Sequence, residues 1–278
     1  MTDPAVGTLR VNGATLHYEV RGRGPLLLLI PGGTGGAASF DGIADDLAGA
    51  YTVATYDPRG MSRSTLDDPE AEQHVAEHAE DAFRLLDRLS PGEPARVFGA
   101  SSGAIVAVHM LTTRPERVAR VVAHEPPLVE VLPDAAEHRA LVARVRETFR
   151  TQGLMPAMAV LAAGLSKDGG ATAPEAGTGL PPRAAARAER TMADLPYFVG
   201  RIVPGFMTHA PDLSRLEALS DRLVLACGED SRGELPHRAT AFLAERLGTK
   251  LRYFPGGHIG LTTHPAAFGA CLQKALCD

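Results

Sequence analysis

Apolar residues run along this chain in two rhythms, and the switching between them predicts its architecture. Thr8 to Val11 and Thr15 to Val20 alternate apolar with polar on either side of Asn12-Gly13, the strongest local signal for a tight hairpin, so the chain opens with an antiparallel pair. The rhythm then changes. Pro25 to Ile30 is a continuous apolar run of strand length, as a strand covered on both faces requires, and Thr52 to Tyr56, Ala95 to Phe98, Val118 to Ala123, Leu223 to Cys227 and Lys250 to Phe254 read as further strands. Helical stretches separate them: Ser39 to Leu47, Glu70 to Leu89, Ala104 to Leu111, His237 to Leu247 and Pro265 to Leu276. In the second of these, Val75, Ala79, Ala82, Phe83, Leu86 and Leu89 fall at helical spacing. Alternating strands and helices predict an α/β fold with a mostly parallel central sheet and helices on both faces.

The alternation stops from about Leu128 to Asp212. Helical patterns at Ala135 to Thr151, Met155 to Leu165 and Pro182 to Leu195 replace it, with a Gly/Ala/Pro-rich run from Lys167 to Pro181 that is expected to gate entry to a site. An insertion of this kind between two strands is expected to pack as a helical cap over the strand ends. The expected division is a core of residues 1–126 and 213–278 and a cap of residues 127–212. Met155, Met158, Leu161, Phe198, Phe206 and Met207 are candidates to line a pocket beneath that cap.

Composition removes several function classes. With 45% hydrophobic residues in 278 the chain can bury a large core, and a net charge of −5 offers no basic surface for nucleic acid or an anionic membrane. Met1 to Gly7 carries no basic region followed by an apolar stretch, and Leu26 to Ile30 is too short to span a bilayer. A cytoplasmic location is expected. Cys227, Cys271 and Cys277 do not make a disulfide framework.

Candidate chemistry collects where strands end. Gly99-Ala100-Ser101-Ser102-Gly103 joins a strand to a helix, and a serine with glycines two residues before and after it suits a sharp turn that lifts the hydroxyl clear of the sheet. The same turn aims amides of the helix start at whatever binds beside Ser101. Pro31-Gly32-Gly33-Thr34-Gly35-Gly36 lacks the residues of a nucleotide-binding loop, and is expected instead to expose the Gly33 N–H toward the serine. Glu125 follows a strand end, where functional residues of open α/β sheets gather, and is a candidate acid. His258 lies in the glycine-rich Pro255-Gly256-Gly257-His258-Ile259-Gly260, placed to reach across the sheet edge. Asp57 and Arg59 read as holding a solvated turn together. His74 and His78, four apart, read as a solvated helix face, since no third metal ligand is evident.

These motifs together resemble the α/β-hydrolases with a helical cap. The similarity runs nearly end to end, through Gly32-Gly33, Tyr56-Asp57-Pro58-Arg59-Gly60, the turn at Ser101 and Pro255-Gly256-Gly257-His258, in the family's order of serine, acid and histidine. The resemblance implies Ser101 as nucleophile, His258 as general base and then acid, and backbone N–H groups of Ser102 and Gly33 as oxyanion donors. It implies no cofactor. Two positions depart from the pattern. Pro31-Gly32 stands where His-Gly is common, and Ser231 stands where the family usually carries its acid, with Asp230 one step short. Glu125 matches the alternative acid position of some members, including lactonases of the zearalenone type, and is preferred to Asp230. The expected activity is a cofactor-free ester or lactone hydrolase acting on a small, fairly apolar molecule, with no nucleic-acid or membrane partner and a homodimer left open. Serine at the turn argues against haloalkane dehalogenation and epoxide opening. The rivals are a peptidase of the proline iminopeptidase type, whose amine clamp would come from Glu175, Glu189 or Asp194, and a ligand-binding member of the fold that turns over slowly or not at all.

Overall fold

The computed structural model describes residues 3–166 and 182–277. Nine strands form one mixed sheet among the described residues: β1 (Ala5–Val11), β2 (Ala14–Arg21), β3 (Leu26–Ile30), β4 (Thr52–Tyr56), β5 (Thr65–Leu66), β6 (Ala95–Ala100), β7 (Val118–His124), β8 (Leu223–Gly228) and β9 (Arg252–Phe254). The spatial order is β1-β2-β4-β3-β6-β7-β8-β9, with β5 on β2. Pairings involving β2 are antiparallel, while β4-β3-β6-β7-β8-β9 run parallel. Asn12-Gly13 does close the first hairpin, pairing Val11 with Ala14.

The side-chain period of two explains why the central strands are apolar throughout. In β3, Leu26, Leu28 and Ile30 enter the core on one face while Leu27 and Leu29 enter the core on the other. The first face is covered by α2 (Val75–Leu89), α3 (Ser102–Thr113) and α9 (Leu235–Arg246), and the second by α1 (Asp41–Leu47) and the C-terminal helix α10 (Pro265–Cys277). Each fully buried leucine contributes roughly 1.5–3 kcal/mol, so exchanging one for a charged residue would break the sheet from either side.

Between β7 and β8 the chain is helical: α4 (Ala135–Gln152), α5 (Leu154–Leu165), α6 (Pro182–Tyr197), α7 (Val203–Met207) and α8 (Leu213–Ala218). A π-helical turn at Phe198–Ile202 joins α6 to α7. The wider turn belongs to a segment where Pro196 and Pro204 both deny the helix a donor. The expected gate at Lys167 to Pro181 lies outside the described residues.

Some boundaries differ from the sequence pattern for local reasons. The helix expected from Glu70 begins at Val75, because His74 is extended (φ −126°, ψ 142°) and the Gln73 side chain bonds the Ala71 carbonyl at 3.0 Å, a local bond that competes with helix. His78 is buried rather than solvated: its Nε2 meets Gln73 Oε1 at 3.1 Å and its ring sits edge-on to Phe206. Only His74 is exposed, so the two histidines do not share a face. Burial, with the charge of Arg59 adding to it, holds the His78 pKa down to about 3.

The turn after β4 is likewise not solvated. Asp57 and Arg59 are both buried, and they do not pair with each other. Asp57 accepts from the Ala37 N–H at 2.8 Å and from Arg63 Nε at 2.7 Å, which ties the end of the glycine-rich loop to this turn. Arg59 instead makes a two-pronged contact with Asp81 of α2, both arms at 2.7 Å.

Candidate active site

Three side chains from different strand ends meet over the carboxyl edge of the sheet. Ser101 follows β6 in a left-handed conformation (φ 51°, ψ −119°) and caps α3. Such a turn is possible only with no side chain at its flanks: a Cβ on Gly99 would lie 2.3 Å from the Gly103 carbonyl oxygen, and one on Gly103 would lie 2.4 Å from that of Ile30. Glu125, just past β7, also has a positive φ of 51°. Two strained non-glycine residues, each in contact with His258, are what an over-determined site holds in place. His258 follows β9 and has a partly open side chain, 28% against 0% for Glu125.

The contacts fix the proton positions. His258 Nδ1 lies 2.6 Å from Glu125 Oε2, and a carboxylate only accepts, so Nδ1 carries the hydrogen. Nε2 therefore presents its lone pair to Ser101 Oγ at 3.1 Å. The second carboxylate oxygen, Oε1, accepts from the Gly228 N–H at 2.9 Å and from the Ser231 hydroxyl. Burial works to raise the Glu125 pKa, but the hydrogen bond and charge of His258, the charge of His124 and the Ser231 hydroxyl hold it at about 2. Glu125 stays ionised throughout the neutral range.

Asp230 is exposed and makes no contact with His258. Ser231, three residues beyond Gly228, fills the place where a carboxylate was looked for and donates to the one supplied from β7. That donor role carried no sequence signal beyond the position itself.

Ser102 opens α3, so its N–H belongs to the first turn, where amides have no intrahelical acceptor. The Gly33 N–H is already engaged: it donates to Ser102 Oγ at 3.1 Å. The expectation was a pair of backbone N–H groups; the contact found runs from the Gly33 backbone to the Ser102 side chain, which sequence reasoning missed.

A cavity opens onto Ser101, Ser102 and His258. Every other described wall residue is apolar, among them Leu161, Phe198, Phe206 and Met207 of the expected pocket set. Met155 is instead 70% exposed, and Met158 packs against the core without reaching the cavity. The π turn puts Phe198 and Ile202 on the wall. No carboxylate or cationic side chain among the described residues lines it. The arrangement can take a proton from a hydroxyl, hold the resulting imidazolium against a carboxylate, and do so beside a compartment with apolar walls.

The family model of the alpha/beta hydrolase fold matches residues 25–265. The chain belongs to this family, and it is a hydrolase. An uncharacterised hydrolase, YraK, of Bacillus subtilis (strain 168) is 33% identical over 276 residues, covering 97% of this chain and 95% of that protein. A zearalenone hydrolase of Cladophialophora bantiana is 28% identical over 264 residues, 94% of this chain and 92% of that protein. Among solved structures, a thermophilic esterase from Thermogutta terrifontis superimposes with a TM-score of 0.74 at 18% identity, covering 99% of this chain and 98% of the other. No helix among the described residues is long and apolar enough to cross a membrane.

Proposed function

We propose that the protein is a serine hydrolase that cleaves a carboxylic ester or lactone of a small, fairly apolar molecule through an acyl-enzyme. The observation that carries this reading is the unbroken contact from Ser101 through His258 to Glu125 at the mouth of an uncharged cavity. Ser101 Oγ bonds to the carbonyl carbon as its proton passes to His258 Nε2, and the carbonyl π electrons move onto oxygen. The Ser102 backbone N–H, in the first turn of α3 and without an intrahelical acceptor, is the donor offered to that oxyanion. Collapse breaks the bond to the leaving alcohol, which takes the proton from His258. Water, deprotonated by the same imidazole, then releases the acid and returns the hydrogen to Ser101. In a lactone the alcohol and acid stay on one molecule. The described helices α4 to α7, which lie within the expected cap, act as the cap over the compartment.

The likeness to a zearalenone hydrolase supports a lactone among the substrates, and the apolar walls support an uncharged one. The peptidase reading needs an acid in the cavity to hold an amine. Glu189 is exposed, Asp194 is occupied by the Ser62 N–H and hydroxyl at 2.9 and 3.0 Å, and Glu175 lies outside the described residues. Two assays test the proposal: labelling with a fluorophosphonate, located by peptide mapping, and turnover of nitrophenyl esters of increasing acyl length beside macrolactones. Label on Ser101 with turnover that vanishes in Ser101→Ala is the expected result. A folded protein that takes no label is a binder, not an enzyme of this kind.

A further inference from the structure

We propose that the Ser102 side chain, beyond its backbone, stabilises the tetrahedral intermediate: its hydroxyl accepts from the Gly33 N–H and donates its own proton to the oxyanion. The inference rests on the serine-hydrolase reading and adds to it a donor that the backbone scheme does not contain.

The amide that should meet the oxyanion is already spent on Ser102 Oγ, at 3.1 Å. Ser102 follows Ser101 directly and lines the same cavity as Ser101 and His258, so its side chain borders the space where the oxyanion forms. A hydroxyl accepts and donates at once, so the bond from Gly33 leaves the Ser102 proton available. No described residue accepts that proton.

The surroundings narrow its destination. Ser102 lines the cavity with Ser101 and His258, and also the adjoining one with Gly33, Tyr56 and His78; the two cavities share Ser102, Ile202 and Phe206. Ser102 thus borders both compartments, and apart from Ser101 and His258 the described walls of the first are apolar. A developing oxyanion is the strongest acceptor to arrive there, and hydrogen bonds to charged oxygen are about twice as strong as neutral ones. The amide behind the hydroxyl polarises it further. Gly33 then acts through Ser102 rather than in parallel with it.

The opposite arrangement, with Ser102 Oγ occupying the oxyanion's own place and having to leave, makes opposite predictions. In the full-length protein, Ser102→Ala is expected to lower kcat on a nitrophenyl ester by roughly 10²–10³-fold, the loss seen when one oxyanion donor is removed, with KM little changed. Affinity for a trifluoromethyl ketone, whose carbon bonds to Ser101 Oγ and whose oxygen becomes an alkoxide, should fall in step. A merely structural role would not couple the two. Ser102→Cys, with a weaker donor of similar shape, should fall between, and it decides the matter if Ser102→Ala does not fold. Unchanged or higher kcat in the variant that folds, or a loss of kcat with the ketone still bound tightly, overturns the proposal. Wild-type protein that is neither labelled by a fluorophosphonate nor active overturns the serine-hydrolase reading and this inference together. Label and turnover in the wild type with no effect at Ser102 overturn this inference alone.

Discussion

Glu125 and Asp81 are both buried carboxylates, at 0% and 2% exposure, each against one basic side chain, yet they do different things. Asp81 is gripped by Arg59 through two bonds of 2.7 Å, and that guanidinium is itself almost sealed, at 6%. Burial pushes the Asp81 carboxyl up while Arg59 pulls it down. A guanidinium does not release its proton, so the pair is a fixed charge couple joining the turn after β4 to α2. The Tyr197 hydroxyl donates to the Arg59 carbonyl at 3.2 Å, so the couple also anchors the end of α6. Glu125 faces a ring that can gain and lose a proton and that opens to a cavity on its other side. Burial of an acid is common to both; chemistry needs a partner with a variable charge and a path to solvent or substrate.

The sharpest way to break this comparison is to remove one charge from each couple. Glu125→Gln is expected to cost on the order of 10⁴ in kcat, because an amide no longer holds the His258 tautomer, with the fold intact by circular dichroism. Asp230→Asn should leave kcat near wild type; the reverse pattern would move the acid role to Asp230. Next in size, Asp81→Asn leaves a buried guanidinium without its counter-charge and should cost about 3–5 kcal/mol in urea unfolding, with kcat per folded molecule little altered. Equal loss of kcat in both variants would erase the distinction.

The smallest effect is on the pH dependence of stability. The folded Glu125 pKa of about 2 lies below its ordinary value of 4.5, so the unfolded chain binds the proton more readily. The stabilisation is therefore complete above about 4.5 and lost as pH falls toward about 2. Urea midpoints across that window should slope less steeply in Glu125→Gln than in the wild type.

The sheet was legible because its signals are local. Thr52 to Tyr56 stands as a strand with the bounds its apolar run predicts, and Gly99 and Gly103 mark the tight turn by contacts that no other residue could make. The geometry beside His258 was partly legible too, since a serine at position 231 left the usual place without an acid and a glutamate stood at the end of β7. What stayed hidden depends on distant partners. Nothing in the sequence links Arg59 to Asp81 or shows that Gln73 and Phe206 seal His78, because helical spacing tells which residues share a face but not what arrives to cover it. The Gly33 to Ser102 bond was hidden for the same reason: it spans 69 residues.

The Ser101 N–H donates to the His124 carbonyl at 2.8 Å, so the hydroxyl and the carboxylate are mounted on neighbouring strands in the middle of the sheet, almost as one part. The imidazole comes from β9, three residues long and outermost in the order. Failure on warming should therefore begin at the margin: the molecule falls silent while most of its architecture still stands, and cooling lets the rim settle back onto a centre that never lost its shape.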